Sequence, residues 1–89
     1  MDIKKEIKRA TKDGRTVIGS KETLKNIEDI EKVFLASNAP QEIVKKIGDK
    51  TGEEAEVVRY EGSNKELGSV CGKPFNVSTV GIKRKERLV

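Results

Sequence analysis

Apolar residues recur along this chain with a period that switches repeatedly between that of a helix and that of a strand. Ile3, Ile7 and Ala10 stand at i, i+4 and i+7, predicting a first helix that Asp2 caps and Gly14 stops, with mostly lysine and arginine over its other faces. Arg15-Thr16-Val17-Ile18 has the β-branched content of a short strand and ends at Gly19-Ser20, where Ser20 can cap a second helix carrying Leu24 and Ile27. No glycine or proline follows Asp29, so the end of that helix is unmarked. Val33-Phe34-Leu35-Ala36 is a continuous apolar run, as an interior strand covered on both faces requires. Pro40 at the first helical position, with Ala39 as its cap, opens a third helix that turns Ile43 and Ile47 inward and closes at Gly52.

Ala55 to Tyr60 reads as a third strand. Ser63 and Glu66 have the spacing of a capping box, opening a short fourth helix that ends near Gly72. Asn76 to Lys83 forms the last strand, ahead of a basic tail from about Lys83 to Arg87. Helix and strand thus alternate from end to end. Short apolar strands need both faces covered, so this order predicts an α/β fold with a small sheet between helices. A length of 89 residues fits one domain, 1–89, which buries only roughly 60–65% of its unfolded surface around one modest core.

Composition adds a charge asymmetry that the net value of +4 conceals. Residues 1–25 carry eight Lys/Arg against four Asp/Glu, residues 26–56 four against eight, and residues 57–89 seven against three. If the two basic ends meet in space they form a cationic face suited to phosphate backbones; otherwise they are a solvated surface. The single cysteine, Cys71, excludes an internal disulfide and fits a reducing compartment. The absence of histidine removes the usual catalytic triads and zinc sites. No Walker loop or dinucleotide fingerprint occurs, and no cofactor is called for. The start lacks the apolar run of a signal peptide, and no stretch approaches the ~20 apolar residues of a membrane span, so a soluble cytoplasmic protein is expected.

Three loops that follow strands carry the candidate chemistry. In Gly19-Ser20-Lys21-Glu22-Thr23-Leu24-Lys25, glycine permits close backbone approach, and the helix start with Lys21 and Lys25 on one face would attract phosphate. Glu22 could accept hydrogen bonds from a guanine; the same segment also reads as an ordinary capped helix. Asn38, ahead of Ala39-Pro40, would have a free amide for a ligand, or would make a local turn. In Glu61-Gly62-Ser63-Asn64-Lys65, capping accounts for Ser63 and Glu66 and leaves Gly62, Asn64 and Lys65 available. Loops at the carboxyl ends of strands in an open α/β sheet tend to share one edge, where ligands bind. Aromatic content is 3%, Phe34, Tyr60 and Phe75, with Phe34 assigned to the core, so stacking on aromatic platforms cannot dominate recognition of a nucleic acid.

Together the three segments resemble the kink-turn RNA-binding superfamily, and most of all its archaeal and eukaryotic large-subunit ribosomal branch of the L-thirty-e type. Gly19 to Lys25 is similar to that branch's G-x-K-x-T-x-K, and Ala36-Ser37-Asn38-Ala39-Pro40 to its A-x-N-x-P. Glu61 to Gly68, continuing through Val70-Cys71-Gly72-Lys73-Pro74-Phe75-Asn76-Val77, completes the likeness, which spans roughly Ile3 to Ile82. It implies a three-layer α/β/α sandwich with a roughly four-stranded mixed sheet. It further implies a non-enzymatic RNA binder that recognises a kink-turn or related internal loop of ribosomal RNA, monomeric when free and associated with other large-subunit components. Gly19, Ser20, Lys21, Glu22, Thr23 and Lys25 would meet the sheared G·A pairs and adjoining phosphates, Asn38 a base, and Glu61, Gly62, Ser63, Asn64 and Lys65 the extruded nucleotide. The chain departs from the pattern at Ala55-Glu56-Val57, where the family commonly has Ile-Pro or Val-Pro. Glu22 keeps the glutamate of the N-E-x-x-K run of stand-alone kink-turn binders in guide-RNA and RNA-processing particles, leaving that role as the alternative, while Lys21 in place of their asparagine pulls back toward the ribosomal branch.

Overall fold

Periodic apolar positions and glycine stops divide the chain into four helices and four strands, in a computed structural model that describes residues 3–52 and 55–84. Helix α1 (Ile3–Lys12) buries Ile7 and Ala10 and ends before Gly14; the expected cap, Asp2, lies outside the described residues. Strand β1 (Thr16–Ile18) leads into helix α2 (Ser20–Lys25). Gly19 rather than Ser20 holds the cap position, with φ 95° and ψ 151° and no side-chain cap. Its N–H donates to the Thr79 carbonyl at 2.9 Å, so the turn begins one residue early, in a conformation that glycine adopts without strain.

The unmarked end of α2 is made by Asn26. Its Nδ2 donates to the Glu22 carbonyl at 2.8 Å, and its N–H reaches Glu22 and Thr23 carbonyls at 3.2 Å. A single 3₁₀ turn, Ile27–Asp29, then delivers strand β2 (Ile30–Leu35), which starts three residues ahead of the apolar run at Val33. Helix α3 (Gln41–Thr51) is capped by Pro40, not Ala39: the ring holds φ at −57° while ψ stays extended at 142°. The Pro40 carbonyl accepts the Ile43 and Val44 N–H groups at 3.0 and 3.1 Å. Strand β3 (Glu56–Arg59) and helix α4 (Asn64–Val70) follow, with Ser63 capping α4 by accepting the Glu66 N–H at 3.3 Å.

The last strand, β4 (Thr79–Lys83), begins later than Asn76 because the preceding segment folds over α4. There the Lys73 N–H donates to the Gly68 carbonyl and the Val77 N–H to the Asn64 carbonyl, both at 2.9 Å. Sheet order is β1-β4-β2-β3, with β4 antiparallel to β1 and β2, and β2 parallel to β3. Strands β1, β2 and β3 therefore all point one way. On one face α1 and α4 pack Ile7, Ala10 and Leu67 against Phe34, Val80 and Ile82; on the other, Ile47 of α3 and Leu24 of α2 meet Val17, Val33 and Leu35. The result is the expected three-layer α/β/α sandwich around a mixed four-stranded sheet. Edge strand β3 departs from full cover, with Val57 38% exposed. The acidic pair Glu53-Glu54 and the tail from Lys85 onward lie outside the described residues.

Candidate functional site

Because three parallel-running strands share one orientation and β4 enters the sheet where they leave it, the three predicted loops converge on one edge. Backbone bonds tie them together. The Ala36 N–H donates to the Ser78 carbonyl at 2.9 Å, and the Ser37 N–H to the Gly62 carbonyl at 3.0 Å. Arg59 Nη2 adds a bond to the Ser37 carbonyl at 3.3 Å.

At the first loop the Gly19 carbonyl accepts both the Thr23 N–H at 3.0 Å and Thr23 Oγ1 at 2.7 Å. Thr23 is fully buried, so it braces the turn and is not a contact residue, contrary to its place among the expected RNA ligands. Lys21, Glu22 and Lys25 are exposed, and Lys25 Nζ stands 3.8 Å from Glu22 Oε1. The expected helix-dipole contribution is small here. Six residues sum few peptide dipoles, and the Gly19 N–H is engaged with Thr79, so attraction for an anion rests on the lysines.

Asn38 does not have a free amide. Its Oδ1 accepts the Asn64 N–H at 2.9 Å and its Nδ2 donates to Asn64 Oδ1 at 3.2 Å, a two-bond clasp between the second and third loops. Both residues keep a solvent-accessible surface, so the clasp sits on the edge itself. The Asn64 carbonyl in turn holds the Val77 N–H, linking the clasp to the segment that covers α4. Glu61 and Lys65 are exposed, and Gly62 and Ser63 are half-buried beneath them. The Glu66 carboxylate and the Tyr60 ring occupy the space where a Cβ on Gly62 would stand, which explains a glycine there.

Sequence reasoning carried residues 70–77 in the family likeness but placed no site residue in the segment 73–78. It lines a shallow groove in which Gly19 and Ser20 face Ile43, Lys73 and Phe75, and a second groove joins Ser20 and Lys21 to Ile43 and Lys46. Phe75 is 56% exposed, an unusual cost for a phenylalanine unless a partner covers it. Besides that likeness, the signal was that Lys73-Pro74-Phe75 sits between Gly72 and Asn76 with no helical or strand period to place its aromatic ring in a core. The edge thus offers exposed lysines, hydrogen-bonding amides and one flat apolar ring. Among the described residues no cluster of three or more potential metal ligands occurs, and no helix is long and apolar enough to cross a membrane.

Comparison with known proteins points the same way. Residues 1–88 match the model of the ribosomal protein L7Ae/L30e/S12e/Gadd45 family. The chain is 39% identical over 83 residues to large ribosomal subunit protein eL30 of Archaeoglobus fulgidus, covering 91% of this chain and 93% of that one. It is 37% identical over 84 residues to the protein of the same name from Methanosarcina mazei, covering 92% and 79%. Among solved structures, the Giardia lamblia 15.5kD RNA binding protein superposes with a TM-score of 0.79 at 24% identity, over 90% of this chain and 69% of that one, a likeness of fold.

Proposed function

Since the chain belongs to the ribosomal protein L7Ae/L30e/S12e/Gadd45 family, we propose that it is an RNA-binding structural component of the large ribosomal subunit that recognises a kink-turn or related internal loop. It is a binding protein, not an enzyme. The observation that carries the reading is the convergence of the three loops, with their exposed lysines, on a single cross-tied edge.

In this reading Lys21 and Lys25 neutralise phosphates on either side of the bend, while the Gly19–Ser20 backbone lets a strand approach closely. Glu22 accepts from a guanine edge. Asn38 acts with Asn64 as one unit, presenting the amide edges that the clasp leaves facing solvent, and Glu61, Gly62, Ser63 and Lys65 border the bulged nucleotide. Phe75 supplies the one stacking surface, a modest addition to phosphate and base-edge contacts. The protein stabilises the bent RNA by binding it in preference to straighter conformers, so its only work is a population shift. It acts as a monomer in the cytoplasm until it joins RNA and neighbouring subunit components. Identities of 39% and 37% to large-subunit proteins over about nine-tenths of the chain favour that role over a free-standing particle.

The test is a titration of a kink-turn RNA against the same strands with the G·A pairs replaced by Watson–Crick pairs. At least tenfold tighter binding to the kink-turn, roughly 1.4 kcal/mol, is expected. Equal affinities would overturn kink recognition while leaving RNA binding intact.

A further inference from the structure

Helix α1 carries Lys4, Lys5, Lys8, Arg9 and Lys12 against one acid, Glu6. At roughly 100° per residue, Lys5, Lys8, Arg9 and Lys12 fall within an arc of about 100° centred opposite Ile7 and Ala10, the two residues α1 buries. Glu6 lies on the flank of that arc and is turned inward. Its carboxylate binds Lys32 Nζ of β2 at 2.7 and 3.1 Å, across a side chain that is only 19% exposed. The helix's own acid is therefore engaged elsewhere. Lys8, Arg9 and Lys12 are exposed, and none has an ion pair among the described residues.

Helix α3 differs, since its solvent face mixes Lys45, Lys46 and Lys50 with Glu42 and Asp49. The layer that contains α1 is also separate from the loop edge. α1 packs with α4 on one face of the sheet, whereas α2 and α3 cover the other. Along α1 the step from Lys8 to Lys12 is about 6 Å, a spacing at which cations can follow successive phosphates of one strand.

We propose that the outer face of α1 is a second RNA-binding surface that holds the phosphate backbone of a duplex flanking the primary site. The proposal rests on the RNA-binding reading above. The surface carries Lys8, Arg9 and Lys12 as its required contacts and reads no sequence, because it meets phosphates on the outside of a duplex whose major groove is too deep and narrow for side chains to read. A protein with two such surfaces gains affinity from a longer RNA without any new contact at the loop edge, since the second engagement is intramolecular.

The experiment compares the full chain with a Lys8→Gln/Arg9→Gln/Lys12→Gln variant and a charge-keeping Lys8→Arg/Lys12→Arg variant. Each is titrated with a minimal kink-turn RNA and with the same element extended by flanking duplexes, across a series of salt concentrations. Wild type should bind the extended RNA more tightly. The glutamine variant should lose roughly tenfold or more on the extended RNA only, with its salt slope reduced by about 2–3, while the arginine variant retains both. All three should melt at the same temperature. Equal binding of the extended RNA by wild type and glutamine variant, with equal slopes, would overturn the second surface. An acidic protein as the partner would give that same result. If the minimal RNA is not bound at all but duplex binding is still lost in the glutamine variant, the loop-edge reading fails and the α1 surface stands.

Discussion

The two ends of the sheet treat their cations in opposite ways. Where β1, β2 and β3 begin, Arg15 is 18% exposed and is held by Asp13 at 3.7 Å, by Glu31 at 3.4 Å and by the Lys83 carbonyl at 3.0 Å. Lys32, next in that network, touches Glu6 and Glu56 and lies 5.9 Å from the centre of the Phe34 ring. Where the same strands end, Lys21, Lys65 and Lys73 stand exposed with no carboxylate partner among the described residues, and Lys25 has only a distant one. Pairing distinguishes these ends. Cations at the first end join α1 to the sheet, and those at the second remain available to an external anion.

The largest expected effect comes from Gly68, which holds the loop end together. A Cβ at that position would collide with the Phe75 carbonyl and crowd the Val77 nitrogen, neither of which can move without lifting the 73–78 segment off α4. Gly68→Ala should therefore lower stability by about 3 kcal/mol in urea denaturation, and weaken RNA binding under conditions where the variant is folded. A wild-type urea midpoint would contradict that packing.

Next come the lysines themselves. Lys21→Ala or Lys25→Ala should weaken kink-turn binding by about 1–3 kcal/mol each and reduce the salt slope by about 1, without changing the melting temperature. Arg15→Ala should do the reverse, lowering the melting temperature and leaving affinity nearly untouched. If Arg15→Ala reduced affinity as much as Lys21→Ala did, the contrast between the two ends would collapse.

Much of this was readable from sequence, and most of the omissions come from contacts that no local pattern encodes. Alternating periods marked seven of the eight elements to within three residues, and the β-branched run before Gly19 located the turn that bears the lysines. Local signals erred where a distant carbonyl competed or where a side chain ended a helix without glycine or proline. Thr79 drew the Gly19 N–H and moved the α2 cap off Ser20, and Asn26 ended a helix where no glycine or proline stood. The pairing of Asn38 with Asn64 and of Glu6 with Lys32 each spans 26 residues, beyond any motif. Phe75 escaped for a different reason: its segment follows the surface of α4, so no period could distinguish exposure from burial.

A smaller effect sharpens the paired end. The hydrogen bond that Lys32 donates to Glu6, opposed in part by burial and aided by the fields of Glu6, Glu56 and Glu31, raises the Lys32 pKa above the usual lysine value of 10.5. The stability this contributes is fully present below pH 10.5 and disappears as pH climbs through the raised value. Burial also raises the Cys71 thiol above its usual 9.0, which adds a loss of the same sign at high pH. Glu6→Gln should cost about 1.5 kcal/mol at pH 7 and shrink the Lys32 part of the alkaline decline, while the Cys71 part is unchanged. An identical difference between wild type and variant at pH 7 and pH 11 would mean the pair is not linked to Lys32 titration.

The smallest change tests what Glu22 is for. Its pair with Lys25 spans 3.8 Å, with the two side chains 57% and 65% exposed, so water screens it and Glu22→Gln should alter stability by under about 0.5 kcal/mol. The effect on RNA has two physical components of opposite sign. Removing a negative charge beside Lys21 and Lys25 strengthens attraction for any phosphate backbone, whereas losing the carboxylate weakens hydrogen bonds from a guanine edge, by about 1 kcal/mol. Only the second depends on the G·A pairs. Glu22→Gln should therefore narrow the preference for kink-turn RNA over its Watson–Crick-paired control, even if binding to both increases. A uniform gain with the preference intact would assign Glu22 to moderating charge at the loop end, and would leave base recognition there to the amides of Asn38 and Asn64.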